Sequence, residues 1–278
     1  MKKDKMPEQN NKGSLEDKLR RLREQSGLKD SDVFEKGFQY HQQGRLEEAE
    51  AAFRRATEIN PNSILAHYSV GVYCIEQKKI EEAEVAFKKI SEINPDCYYG
   101  YYGLAHCAFE RGNVEEAIKH FQKAIKINPK DTEMRVKSGK CYAELGNNEE
   151  AEASYKKAIE LEPNNADNHN VLAHHYFNVG KYKEATQSFE SAIEYNPMNH
   201  LGHWTLALCY GMLGECNKQE SALKRAIECF PNDPVFYENI GDFYNEQSRF
   251  KEAKLAYQKA IELGREESKE KLAKLEVR

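Results

Sequence analysis

Five histidines crowd one stretch of the chain: His169, His174, His175, His200 and His203. Imidazoles at that density are what a bound transition metal would use. His200 and His203 lie three residues apart, hence on one face of a helix, and His169 and His203 occupy equivalent places 34 residues apart. No carboxylate or cysteine at ligand spacing completes a shell around them. His67, His169 and His203 read as substitutes for the bulky fourth-place residue at a helix contact. The seven cysteines, at 74, 97, 107, 141, 209, 216 and 229, form no CxxC pair. Scattered along helical positions, they read as small buried apolar side chains with free thiols in a reducing compartment. There is no Gly-rich phosphate loop, GxSxG elbow or HExxH pair. Most of the 46 acidic residues fall at helix starts or on exposed faces. No catalytic residue, metal or cofactor is assigned, and the chain is expected not to be an enzyme.

Charge narrows the classes further. Forty-one Lys and Arg against 46 Asp and Glu give a formal net charge of −5, with pI near 6.1 and mean hydropathy −0.84. A nucleic-acid binder usually carries a basic face or a much higher pI, so no nucleic-acid partner is expected. No apolar run approaches the ~18 residues of a membrane span. The first 29 residues contain no apolar signal core, so a cytoplasmic location is expected. A length of 278 residues suits two globular domains or one elongated array, and the low hydropathy suits an array with much surface.

The elements that would position any site follow from periodicity. Pro61, Pro95, Pro129, Pro163, Pro197 and Pro231 are each 34 apart. Ala49, Ala83, Ala117, Ala151 and Ala185 keep the same step, as do Phe53, Phe87, Phe121, Tyr155 and Phe189. Gly or Ala recurs at 37, 71, 105, 139, 173, 207 and 241. Seven units result, at 30–63, 64–97, 98–131, 132–165, 166–199, 200–233 and 234–267. Each predicts two helices. In the third unit Tyr98, Tyr101, Leu104, Ala105 and Ala108 mark the first helix, and Gly112 stops it in the left-handed conformation. Glu115 and Glu116 open the second, at the positive end of its dipole, and Pro129 ends it. Gly44, Gly146, Gly180 and Gly214 repeat the stop, with Lys78 and Ser248 as exceptions. Ser63, Asp131, Asn165, Asn199 and Asp233 are expected N-caps. Glu50–Arg54, Glu84–Lys88, Glu152–Lys156 and Glu220–Lys224 are expected helix-surface ion pairs. Small residues let the two helices approach, and the bulky residue at place 24 fills the gap to the next unit, so stacking is obligatory.

This pattern resembles the tetratricopeptide repeat family. A bulky residue at place 4, Leu 7, Gly or Ala 8, Tyr 11, Ala 20, Phe 24, Ala 27 and Pro 32 are matched in the third unit by Tyr101, Leu104, Ala105, Ala117, Phe121, Ala124 and Pro129. Departures are local: Cys74 and Ala108 stand at place 11, Gln219 at 20, Leu223 at 24 and Arg265 at 32. The resemblance implies an all-α, right-handed superhelical solenoid of antiparallel helix pairs. Outside the units, residues 1–29 carry net +4. Within them 14–25 reads as a short amphipathic helix, with Leu15, Leu19 and Leu22 on one face and Lys18, Arg20, Arg21 and Arg23 around it. It caps the first unit or occupies a groove in the same or another copy. Residues 268–278, with Leu272 and Leu275, read as a capping helix.

The resemblance also implies a non-catalytic interaction scaffold or adaptor whose first helices line a concave groove through places 2, 5, 9, 12 and 13. Those places hold Phe34 and Phe38, then Leu65, Tyr68, Val72 and Ile75. Next come Tyr99, Tyr102, His106 and Phe109. Farther on stand His174 and Phe177, then Leu201, Trp204 and Leu208. Tyr99 and Tyr102 are expected to turn away from the core positions of Tyr98 and Tyr101, giving an exposed aromatic line. Place 13 adds an acidic rim of Glu76, Glu110, Glu144 and Glu246, which favours a partner peptide or amphipathic helix bearing Lys or Arg beside apolar anchors. The residues of a carboxylate clamp for chaperone tails are missing: the relevant places hold Phe34, Phe38, Ser69, Tyr99 and Gly103. The alternative is a self-assembling structural scaffold in which arrays join into homo-oligomers through the N-terminal helix.

Overall fold

The computed structural model describes residues 32–276, and every regular element among them is an α-helix. The sequence expectation for 1–29 lies outside the described residues. The chain divides into two compact units, the first running through Leu145 and the second starting at Gly146. In the first unit the helices are α1 (Asp32–Gln42), α2 (Leu46–Ile59), α3 (Ile64–Glu76), α4 (Ile80–Ile93), α5 (Tyr98–Glu110), α6 (Val114–Ile127) and α7 (Thr132–Glu144). The second holds α8 (Asn148–Leu161), α9 (Ala166–Asn178), α10 (Tyr182–Tyr195), α11 (His200–Met212), α12 (Cys216–Cys229), α13 (Pro234–Glu246), α14 (Phe250–Glu262) and α15 (Ser268–Glu276). Within each unit consecutive helices pack on one another, as a solenoid of helix pairs requires.

Local chemistry sets the helix ends. Ser63, Asp131, Asn165, Asn199 and Asp233 each accept a backbone N–H of the first turn that follows, so orphan donors are satisfied. Gly112 closes α5 at φ 76°, where Lys78 and Ser248 adopt φ 60° and 57° without glycine's freedom. The alanines at place 20 are fully buried. So are the bulky residues at place 24, including Leu223, which fills the aromatic's place. Burying each ring or branched chain contributes about 1.5–3 kcal/mol. Phe87 shows why small residues face it. A Cβ on Gly71 would sit 2.6 Å from its ring, and one on Gly103, from the next repeat, 2.2 Å.

One expected pair is replaced. Glu84 takes Arg111 of the next repeat at 2.5 Å rather than Lys88, whereas Glu50–Arg54, Glu152–Lys156 and Glu220–Lys224 form as expected. The same carboxylates also reach forward. Glu152 accepts from Tyr176 Oη and Lys181 Nζ, both at 2.9 Å. Glu220 accepts from Tyr244 Oη at 3.2 Å and Arg249 Nη1 at 2.6 Å. In the fourth and sixth repeats the residue at place 21 is thus tied to places 11 and 16 of the following repeat. A reading confined to i,i+4 spacing misses this link.

Candidate functional site

The histidines resolve into separate structural tasks. His67, His169 and His203 each donate Nε2 to the carbonyl of the proline six residues earlier, at 2.9, 2.7 and 2.9 Å. Arg135 and Tyr237 make the same contact from place 4, to Pro129 and Pro231. In these five repeats place 4 therefore anchors the preceding loop. His175 bonds the Asn148 carbonyl at 3.2 Å, and His200 the Asp233 carboxylate at 2.6 Å. His174 packs edge-on to Phe189 at 4.9 Å, and burial pulls its pKa below the usual imidazole range. Among the described residues no three His, Cys, Asp or Glu side chains group as metal ligands. Five of the seven cysteines are buried and all seven are free thiols. Burial pushes Cys107 up to about 12.

The first-helix line differs between the two units. In the first unit Phe34, Leu65, Tyr68, Tyr99 and Tyr102 are buried. Tyr99 and Tyr102 keep only 2% and 7% of their surface, which corrects the expectation of an exposed aromatic line there. The reason is lateral packing between neighbouring first helices. Tyr68 meets Tyr99 edge-on at 5.1 Å, and Tyr99 stacks on Tyr98 at 4.1 Å. Tyr102 leans on Phe121 and donates its hydroxyl to Glu133 at 2.5 Å. Burial, with Glu133 beside it, drives the Tyr102 pKa upward. Phe38, Val72, Ile75 and His106 are half-buried, and Phe109 is exposed.

In the second unit the line opens to solvent. Leu201, Trp204 and Leu208 are each 37–38% exposed, and Met212 is 60% exposed. They follow one another by three or four residues along α11, so they form one row on one helix face. Phe177 on α9 is half-buried against Tyr182 at 5.7 Å. The helices α9, α11 and α13 contain no Lys or Arg, and their charges are Asp167, Glu238, Asp242 and Glu246. Of these, Glu238 and Asp242 are met by Arg265 and Lys271, which follow α14. Glu76, Glu110 and Glu144 are exposed at the ends of first helices in the first unit, and Glu246 in the second. Met212 stands at place 13 of the sixth repeat, where other repeats carry glutamate.

Sequence models described as Tetratricopeptide repeat match residues 74–135, 108–174, 142–206 and 222–254, and one described as TPR repeat matches 37–73. None of the curated proteins matches the chain. Among solved structures, MamA is 26% identical, with 60% of this chain and 97% of that one covered and a TM-score of 0.52. A thermophilic TPR protein of Thermus thermophilus is 25% identical over 64% of this chain and 97% of its own, at TM-score 0.52. The C-terminal part of a TPR repeat-containing protein from Cytophaga hutchinsonii is 18% identical, covers 85% of this chain and 98% of its own, and reaches TM-score 0.72. That last likeness is one of fold.

Proposed function

Since the chain belongs to the tetratricopeptide repeat family, we propose that it is a non-catalytic scaffold that captures a partner helix or peptide on the first helices of its second unit. The observation that carries this reading is the row Leu201, Trp204, Leu208 and Met212, apolar and open to solvent. A large aromatic flanked by aliphatic side chains is the composition of a binding hot spot. Helix-in-groove recognition uses such rows, with anchors at i, i+3 or i+4, and i+7. Asp167 and Glu246, exposed on α9 and α13, favour a partner with Lys or Arg beside its anchors and disfavour nucleic acid. His174 and Phe177 would lie along the same line, and Phe38, Val72, Ile75, His106 and Phe109 would offer a lesser contact in the first unit. Buried free cysteines support a reducing, cytoplasmic setting. No helix among the described residues is long and apolar enough to cross a membrane.

The test is a crosslinked pull-down that compares the wild type with Trp204→Ala/Leu208→Ala. The reading expects a partner captured by the wild type and lost with the variant, at a cost of about 2 kcal/mol or more, with helicity unchanged by circular dichroism. A partner retained equally by both moves the site off α11. Recovery of the chain alone supports self-assembly instead.

A further inference from the structure

The seventh repeat breaks the apolar row in a specific way. Glu238 and Asp242 on α13 stand at the places that Trp204 and Leu208 hold on α11, 34 residues earlier. Both carboxylates are engaged by the segment that follows α14. Glu238, only 6% exposed, accepts from Arg265 Nε and Nη2 at 3.3 and 3.2 Å and from Ser268 Oγ at 2.6 Å. Lys271 Nζ lies 3.2 Å from Glu238 and 2.6 Å from Asp242. Asp242 also accepts from Tyr257 Oη at 2.8 Å. Arg265 lies in the connection before α15, Ser268 opens the helix and Lys271 stands three residues into it, so the start of the segment delivers guanidinium, hydroxyl and ammonium to the same two carboxylates.

The holding force is mostly polar. Helix α15 has nine residues, too few to persist in water by itself. Its leucines, Leu272 and Leu275, are only half-buried, and most of its other side chains are charged. A short terminal element held by a few charged contacts belongs to the part of a fold that opens first. The carboxylates beneath it are fixed to a packed helix: Phe236, Ile240 and Phe243 of α13 are all buried.

We propose that Glu238 and Asp242 form a binding site for a cationic peptide segment, that Arg265, Ser268 and Lys271 are its built-in ligand, and that a basic peptide with the same Arg-x-x-Ser-x-x-Lys spacing displaces them. The proposal rests on the scaffold reading and adds an acidic anchor at α13 beyond the apolar row. The tethered segment competes at high effective concentration, so external ligands bind weakly until it is released.

The probe is a fluorophore-labelled synthetic peptide of residues 264–276, followed by anisotropy with the full chain. Arg265→Ala/Lys271→Ala should bind it about tenfold or more tightly than the wild type, because the internal competitor is weakened. Adding Glu238→Gln/Asp242→Asn should abolish binding, and so should the two alanines placed in the peptide. A folded double variant that binds the peptide no more tightly than the wild type overturns the proposal. Should that variant unfold, amide exchange on the wild type decides. Excess peptide should speed exchange in α15 while leaving α14 protected, and unchanged α15 exchange refutes the site. The carboxylates lie on α13 and the apolar row on α11, so failure here is separable from failure of the Trp204/Leu208 test.

Discussion

Glu152 shows how a single side chain is used more than once. It sits on the second helix of one repeat and holds Lys156 of its own helix together with Tyr176 and Lys181 of the next repeat. Burial opposes its charge, yet the hydrogen bonds from Lys156, Lys181 and Tyr176 outweigh that and hold the carboxyl at about 2. Glu238 is held at about 2 in the same manner, against burial, by Arg265, Ser268 and Lys271. A carboxyl whose folded pKa lies below its unfolded value of 4.5 stabilises the fold above that value. The contribution is lost as pH falls from there toward about 2. Melting temperature should therefore fall through this acid window. Glu152→Gln should cost about 1 kcal/mol at neutral pH, since its lysine partners are half-exposed and screened, and should flatten the acid slope. An unchanged slope in that variant would remove the carboxylate from the account.

The residue scale is also where sequence alone fell short. Tyr99 and Tyr102 lie off the intrahelical core positions, and helical period gives only the direction in which a side chain leaves its own helix. Whether that direction meets water or a neighbouring first helix depends on what stands there. In the first unit Tyr68, Tyr98 and Glu133 stand there. Trp204 is the chain's one tryptophan, and it remains exposed. The same repeat place thus serves as core in one unit and as surface in the other.

At the scale of elements, turn chemistry and packing were legible. Proline at place 32, glycine after the first helix and Ser, Asp or Asn at the next start mark helix ends by known backbone preferences. The inter-repeat tie from place 21 was not legible, because its partners lie 24 to 29 residues away rather than one turn. Lys78 and Ser248 hold a left-handed backbone that glycine holds after most other first helices. Lys78→Gly relieves that strain, offset in part by greater freedom of the unfolded chain. Thermal or urea unfolding should show a gain of about 0.5–1 kcal/mol. A loss would mean that the lysine side chain contributes more than its backbone strain costs.

For the whole molecule, a 34-residue step sustained without insertion fixes a chain of helix pairs that are unstable singly and stable stacked. Such an architecture presents the faces of its helices to a partner. What a face binds is decided by the side chains that stacking leaves uncovered. Leu201, Trp204, Leu208 and Met212 in the second unit form one such row, and they carry the central claim. The most direct measurement places a photo-crosslinking amino acid at Leu208 in one chain and at Glu228, exposed on α12, in another, and irradiates each in native lysate. The account predicts one discrete crosslinked partner from position 208, lost on Trp204→Ala, and none of it from position 228. The same partner captured from position 228 and not from 208 would contradict it.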